Sequence, residues 1–347
     1  MTLSPKNRLI FGTLTIALSL ASIVLFVPWG IVTAYLSPLP ETVPEQLEQA
    51  VDNGLDGVIV YIHEKGQAPE LYAAGWHDRV QKIPANPKAL FKIASVSKLY
   101  VAVAAAKMAQ AEQLSLDKTL NDYLPSLAGR IEYSDEITLR MLIQHRSGIP
   151  NYTDSEEFDW ANAIPEESLK LVLDEPALFK PNKRYKYSNT NYLLLGMILD
   201  NTLGYSHHRY VQEEILTPLG LKHTFSLQKD VDPNKLMSGY DTGYDFDFKD
   251  FTFVSPSGSM IATAQDTGVF LRALNEGTLL SDAEQEIYSS LYSYEHTGLL
   301  PGYSTIARYH KDTDTVIILF ANTSGGETWG IFEVVYDRVH SILKRRK

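Results

Sequence analysis

Segments that read as β-strands stand only toward the two ends of this chain. Everything between them reads as helix or loop, so a sheet has to be assembled from residues far apart in sequence. Gly57 to His63 is apolar and β-rich, Leu71 to Trp76 is a second such run, and Gly66-Gln67-Ala68-Pro69 supplies the turn of a hairpin between them. Toward the other end, Ser304 to Tyr309 and Thr315 to Asn322 flank the polar turn His310 to Asp314. Helices are expected at Glu136 to His145, at Asn191 to Asn201 with Gly204 closing it, from Ser206 to about Leu216, and at Ala264 to Asn275 behind the capping residue Thr263. A last amphipathic helix covers about Thr328 to Lys344. This order predicts an α/β chain of the α+β type, with one antiparallel sheet built from N- and C-terminal segments and flanked by helices. An inserted helical subdomain at roughly 110–260 would leave a cleft where the two parts meet.

The N-terminus adds a second constraint. Leu9 to Leu36 is a run of 28 residues without a charged side chain. Such a stretch exceeds the roughly 20 residues that a helix needs to cross a bilayer. Lys6 and Arg8 precede it, whereas Glu41, Glu45, Glu48 and Asp52 follow it, which orients the N-terminus inward and the remainder outward. The expected division is a basic cytoplasmic segment 1–8, a transmembrane signal-anchor 9–36, a linker 37–50 stiffened by Pro38, Pro40 and Pro44, and a catalytic domain 51–347 held outside the cytoplasm. A cleavable signal peptide ending near Val32-Thr33-Ala34 is the alternative.

A net charge of −11 argues against a nucleic-acid surface. The basic tail Lys344 to Lys347 reads as a solvated helix end. With no cysteine, thiol nucleophiles and disulfides are excluded. His207-His208 has no third ligand at metal spacing and reads as a surface pair, so neither a metal nor a cofactor is expected. Tyr240, Tyr244, Phe246, Phe248, Phe251 and Phe253 alternate with Asp241, Asp245, Asp247 and Asp250. That cluster is either a loop packing its own aromatics or a rim of the substrate cleft.

Catalytic chemistry points to serine. Ser-x-x-Lys occurs at Ser95/Lys98, Ser115/Lys118, Ser226/Lys229 and Ser341/Lys344. Only Ser95 opens a strongly apolar helix, where the helix N-terminus favours charge on its oxygen and burial makes an amine a usable base. Tyr187-Ser188-Asn189 is the sole Tyr-x-Asn, and His296-Thr297-Gly298 the sole His-x-Gly.

In that order the three motifs resemble those of the serine β-lactamase and penicillin-binding superfamily, in its class C β-lactamase, D-alanyl-D-alanine carboxypeptidase and esterase branch. Phe91 to Lys98, Ile137 to Pro150, Ser257 to Thr263 and Pro301-Gly302-Tyr303 are similar to family segments as well. The resemblance implies an acyl-enzyme on Ser95, with Lys98 and Tyr187 moving the proton and the phenol acidified by its ammonium neighbour. It places the oxyanion between the backbone N–H groups of Ser95 and Leu299, Asn189 on the acyl amide, and His296, Thr297 and Gly298 on the substrate, with His296 facing a carboxylate or assisting proton transfer. The resemblance implies a small-molecule or peptidoglycan-peptide substrate, and the membrane is expected as a partner through the N-terminal helix. The implied activity is carboxypeptidase-like, with an esterase, a weak β-lactamase or a non-catalytic penicillin sensor as alternatives.

Overall fold

The computed structural model describes residues 5–346, so the first residues of the expected basic N-terminus and Lys347 of the basic tail lie outside it. The sheet is assembled from the two ends of the chain, as the sequence pattern requires. Strands β1 (Gly57–Glu64), β2 (Glu70–Asp78) and β3 (Ile83–Pro84) join β4 (His296–Leu300), β5 (Tyr303–His310) and β6 (Thr315–Ala321) in the order β4-β5-β6-β1-β2-β3. All neighbours are antiparallel; β1 pairs with β6 from Val58 opposite Ala321 to Glu64 opposite Thr315. The sheet is covered on both faces, which is why β1 and β6 are almost continuous apolar runs rather than alternating ones. Val58, Val60, Ile62, Ile317 and Leu319 face one core, whereas Ile59, Tyr61, Ile318 and Phe320 face the other.

The second face meets α4 (Ser97–Gln110), α5 (Asn189–Leu203), α6 (Ala264–Glu276) and α7 (Asp282–Leu291). Helix α4 is buried on every side over Ser97–Ala106, which explains its apolar composition. Helix α6 begins behind Thr263, whose side chain accepts from the Asp266 N–H, and α5 ends at Gly204 in the left-handed region. Between α4 and α6 the chain carries short helices, loops and a small sheet in which Ile261–Ala262 bridges Phe91–Lys92 and Thr224–Phe225. The helix expected at Glu136 to His145 is only Leu139–Ile143. Thr138 caps its start, and His145 leaves helical geometry with a φ of 56°. His207 is not a surface residue: it is buried, and its Nδ1 lies 2.7 Å from Asp200 Oδ1.

The first face is covered by α3 (Val43–Asp52) and α8 (Thr328–Arg345), and here the structure corrects the expected boundaries. The charge-free run is two helices, α1 (Pro5–Phe26) and α2 (Trp29–Leu36), broken at Pro28 and bent by 77°. Among the described residues no single helix is long and apolar enough to cross a membrane, although the bent pair has the combined length and composition. Helix α2 packs on α8 instead of continuing α1. Gly330 makes room for Ile31, Ala34 is buried, and the Gly30 N–H donates to Glu327 Oε2 at 3.2 Å. Nor is 37–50 a free linker. Thr42 and Glu45 form a capping box that starts α3, whose Val43, Leu47 and Ala50 are buried. Arg338 of α8 clasps the preceding segment, donating to the Ser37 carbonyl at 2.8 Å, the Pro38 carbonyl at 2.7 Å and Gln46 Oε1 at 2.6 Å.

Candidate active site

Ser95 lies in a 3₁₀ turn, Ala94–Val96, that leads into α4. The turn is tight enough to put Ala94 at φ 51°, a conformation of order 1 kcal/mol above the usual one for a residue with a Cβ. Its surroundings hold it there. Ser97 Oγ donates to the Ala94 carbonyl at 2.6 Å and accepts from the Met260 N–H at 3.1 Å, while the Ile93 N–H donates to the Met260 carbonyl at 3.1 Å. The Ser95 side chain is thereby left half-buried and turned to the cleft.

Two groups converge on its oxygen. Lys98 Nζ lies 3.0 Å from Ser95 Oγ, and the Tyr187 hydroxyl donates to the same atom at 2.8 Å. Lys98 is fully buried, and it also donates to Asn189 Oδ1 at 2.9 Å and to the Ser257 carbonyl at 2.6 Å. Those two oxygens can only accept, so they fix two of the amine's N–H bonds. A neutral amine therefore keeps both bonds and points its lone pair at the Ser95 hydroxyl. Burial also drives the Lys98 pKa well below the ordinary lysine value, which favours that neutral form.

The phenol behaves in the opposite way to the expectation. Burial pushes the Tyr187 pKa above its ordinary value, and the hydrogen bond to Ser95 offsets this only in part. No cation is among the groups that offset the rise. Lys98 thus has the character of the base, and Tyr187 that of a proton donor and relay. The Tyr187 ring rests on His145, at 4.5 Å between centroids. His145 is buried, and its pKa falls to about 3 through burial, Lys98 and His296. Its Nδ1 accepts from the Ser188 N–H at 3.3 Å, which puts the ring proton on Nε2.

Asn189 is the first residue of α5, and its amide is spoken for on both sides. Oδ1 accepts from Lys98, and Nδ2 donates to Thr153 Oγ1 at 3.2 Å. In this geometry it steadies the lysine rather than offering itself to an acyl group. His296 sits at the start of β4, half-buried, with Nε2 accepting from the Tyr292 hydroxyl at 2.8 Å and Nδ1 donating to the Thr297 carbonyl. Burial and the nearby Lys98 lower its pKa to about 4. The ring is neutral and both nitrogens are used, so it supplies no charge to the carboxylate it is expected to face.

Gly298 is where β4 passes the nucleophile. A Cβ there would lie 2.5 Å from the Ile93 carbonyl and 3.2 Å from the Ser95 nitrogen, a space only glycine leaves open. Pro301-Gly302 closes the β4–β5 hairpin in two residues, Gly302 at φ 80°, which makes Leu300 and Tyr303 a hydrogen-bonded pair. By alternation the Leu299 N–H points away from β5, toward the open edge that Ser95 borders. Thr297 shares that edge.

Two cavities open along β4. A polar one of about 590 Å³ is lined by Tyr187, His145, His296, Thr297, Gln144 and Arg308. A second, of about 640 Å³, is lined chiefly by aromatic side chains beyond Leu299. The roles of Ser97, Ser257, Thr153 and Asn151, whose Oδ1 accepts from the Asn189 N–H at 2.9 Å, were not read from the sequence. Ser97, Ser257 and His145 do fall inside the family-like segments Phe91 to Lys98, Ser257 to Thr263 and Ile137 to Pro150. Asn151 and Thr153 follow the last of these directly.

Comparison with known proteins agrees with this architecture. The Beta-lactamase family model matches residues 43–291. Penicillin-binding protein 4* of Bacillus subtilis (strain 168) is 24% identical over 336 residues, covering 83% of this chain and 71% of that protein. Protein flp of Staphylococcus aureus (strain MW2) is 28% identical over 187 residues, covering 52% of this chain and only 38% of its own length. Among solved structures, D-amino acid amidase from Ochrobactrum anthropi SV3 complexed with L-phenylalanine amide superposes with a TM-score of 0.77 at 23% identity, over 88% of this chain and 98% of that one. With the family model spanning most of the chain and the same fold in solved relatives, this chain belongs to the serine β-lactamase and penicillin-binding protein superfamily.

Proposed function

We propose that this protein is an extracytoplasmic serine hydrolase that works through an acyl-enzyme on Ser95 and acts like a D-alanyl-D-alanine carboxypeptidase. The observation that carries the reading is the shared approach of Lys98 Nζ at 3.0 Å and Tyr187 OH at 2.8 Å to one serine oxygen. As Ser95 Oγ bonds to the substrate carbonyl carbon, its proton passes to Lys98 and the carbonyl electron pair moves onto oxygen. The N–H groups of Ser95 and Leu299 receive that oxyanion, a donor pair of which each member is worth about 3 kcal/mol in the barrier. The bond to the leaving group then breaks, the departing atom takes the Tyr187 proton, and Lys98 returns its proton to the phenolate. Water repeats the sequence on the acyl-enzyme, freeing the acid. Because Tyr187 is the donor, the leaving group lies on its side, in the polar cavity, where Thr297 is available to a carboxylate.

Membrane association is supported by the exposed apolar surface of α1, from Leu9 to Phe26, which in water would be a large uncovered patch, and the outward side by Lys6 and Arg8 ahead of it. A second reading, an esterase of the same chemistry, is favoured by the neutral His296, which supplies no charge for a carboxylate.

Full-length protein in detergent, incubated with a fluorescent penicillin and then with a D-alanyl-D-alanine peptide, separates these. A mass adduct on Ser95 that blocks D-alanine release supports the carboxypeptidase. Hydrolysis of a short aryl ester, abolished in Ser95→Ala, without D-alanine release moves the assignment to the esterase. Neither adduct nor Ser95-dependent hydrolysis would remove both.

A further inference from the structure

The aromatic loop 241–253 has no part in the proton chemistry, yet the protein holds it firmly beside the nucleophile. Lys92, three residues before Ser95 and almost fully buried, donates from Nζ to the carbonyls of Phe248, Lys249 and Phe251 at 3.1, 2.8 and 2.6 Å. Asp247 accepts from the Gly239 and Lys249 N–H groups, each at 2.8 Å. A parallel pairing of Asn162–Ala163 with Thr252–Phe253 ties the loop to the segment that carries Trp160. Burying a lysine costs free energy unless its donors are satisfied, and here all three satisfy loop carbonyls. The loop is built into one shape before any ligand arrives.

That shape is a cavity rather than a plug. Phe246 packs on Phe248 at 4.6 Å and Phe248 on Phe251 at 4.9 Å between centroids, so the rings do support one another. They nevertheless leave about 640 Å³ open, and Trp160, Tyr244, Phe246 and Leu299 around it are 36%, 55%, 45% and 53% exposed. Four large apolar side chains facing one void mark a surface awaiting an apolar ligand. Leu299 and Leu300 of β4 form its inner wall, which makes the cavity continuous with the strand edge beside Ser95. Asp159 and Asp241 also border it, so an anionic group is disfavoured there.

We infer that this cavity is the acyl-side specificity pocket, taking a bulky aromatic or branched apolar group that carries no negative charge. The assignment rests on the acyl-enzyme reading given above. With Tyr187 and the leaving group at the polar end of β4, the carbonyl at Ser95 directs its acyl half toward Leu299 and the aromatic void. Loop 241–253 then sets which acyl groups are accepted, whichever bond is cut.

The test uses full-length protein in detergent and two esters with one leaving group, p-nitrophenyl acetate and p-nitrophenyl 3-phenylpropanoate, each rate corrected for uncatalysed hydrolysis. We expect kcat/KM to favour the phenylpropanoyl ester by about 50-fold, within the range that apolar pockets give. Phe246→Ala, Tyr244→Ala and Lys92→Met should each cut that ratio at least fivefold. The exposed Val80→Ala, which lines neither cavity, should leave it unchanged. The circular dichroism of Lys92→Met is compared with wild type, and the two surface variants carry the result if it differs. A ratio near one in wild type, or one insensitive to Phe246 and Tyr244 while Ser95→Ala still abolishes turnover, overturns the pocket and leaves the acyl-enzyme intact. Ester cleavage that survives Ser95→Ala overturns both.

Discussion

At the scale of single residues, the site depends on which protons are absent. Burial holds the Lys98 pKa well below the ordinary lysine value, so acylation should slow as pH falls through that depressed pKa and level off above it, as stopped-flow acylation across a pH series would show. Lys98→Ala should lower the acylation rate by about 10²- to 10⁴-fold, and Tyr187→Phe by a similar factor, both with Ser95 still in place. His296, with its pKa at about 4, stays neutral through the physiological range. Binding of a carboxylate ligand should therefore be flat from about pH 6 to 8; a fall in affinity across that interval by titration calorimetry would show a protonated ring. The sequence disclosed Ser95, Lys98 and Tyr187 because their spacing and order stand out against the other Ser-x-x-Lys pairs. It could not disclose the direction of the phenol's shift, which depends on how much of Tyr187 is covered by His145 and its neighbours. Nor could it show that Tyr292 and the Thr297 carbonyl would use up both nitrogens of His296.

At the scale of elements, β4 and α2 make the sharpest claims. Gly298→Ala would drive a methyl group into the Ile93 carbonyl and displace the strand from the 3₁₀ turn. Loss of one oxyanion donor by that displacement should reduce kcat by about 10²- to 10³-fold while the protein still folds, which kinetics paired with circular dichroism would establish. The strands and the long helices were legible because apolar period and caps such as Thr263 and Gly204 agree with their packing. Helix α3 was not, because Pro38, Pro40 and Pro44 suggest a spacer, whereas Pro44 sits in the first turn behind the Thr42–Glu45 box, where a proline is tolerated. The 28-residue run hid its break for a related reason. Composition alone gives no sign that α2 has a partner in Ile331 and Gly330 of α8. A chain beginning at Ser37 should be less stable than one beginning at Trp29 by about 1–3 kcal/mol, since Ile31 and Ala34 lose their burial; thermal melts of the two would measure it.

For the molecule as a whole, several histidines are buried in their neutral form. Burial lowers His145 and His208 to about 3 and His296 and His310 to about 4, against 6.5 for the free side chain. Between those limits the unfolded chain binds protons that the native one refuses, so stability is retained above pH 6.5 and drains away as the pH falls toward about 4. Unfolding in that window should take up protons, which potentiometry alongside melting curves would count. The apolar face of α1 is expected to carry the full chain into lipid vesicles, whereas protein from Trp29 onward stays in the supernatant on flotation. Arg338 and helix α2 give that arrangement an unusual property. Glu327 holds Gly30, Arg338 holds Ser37 and Pro38, and the Trp29 indole N–H donates to the Val24 carbonyl at 3.2 Å across the kink, so among the described residues α1 joins the enzyme without a slack segment. Were α1 to enter a bilayer, the hydrolase would work at one standing height above it, and shedding it would take a cut at that kink.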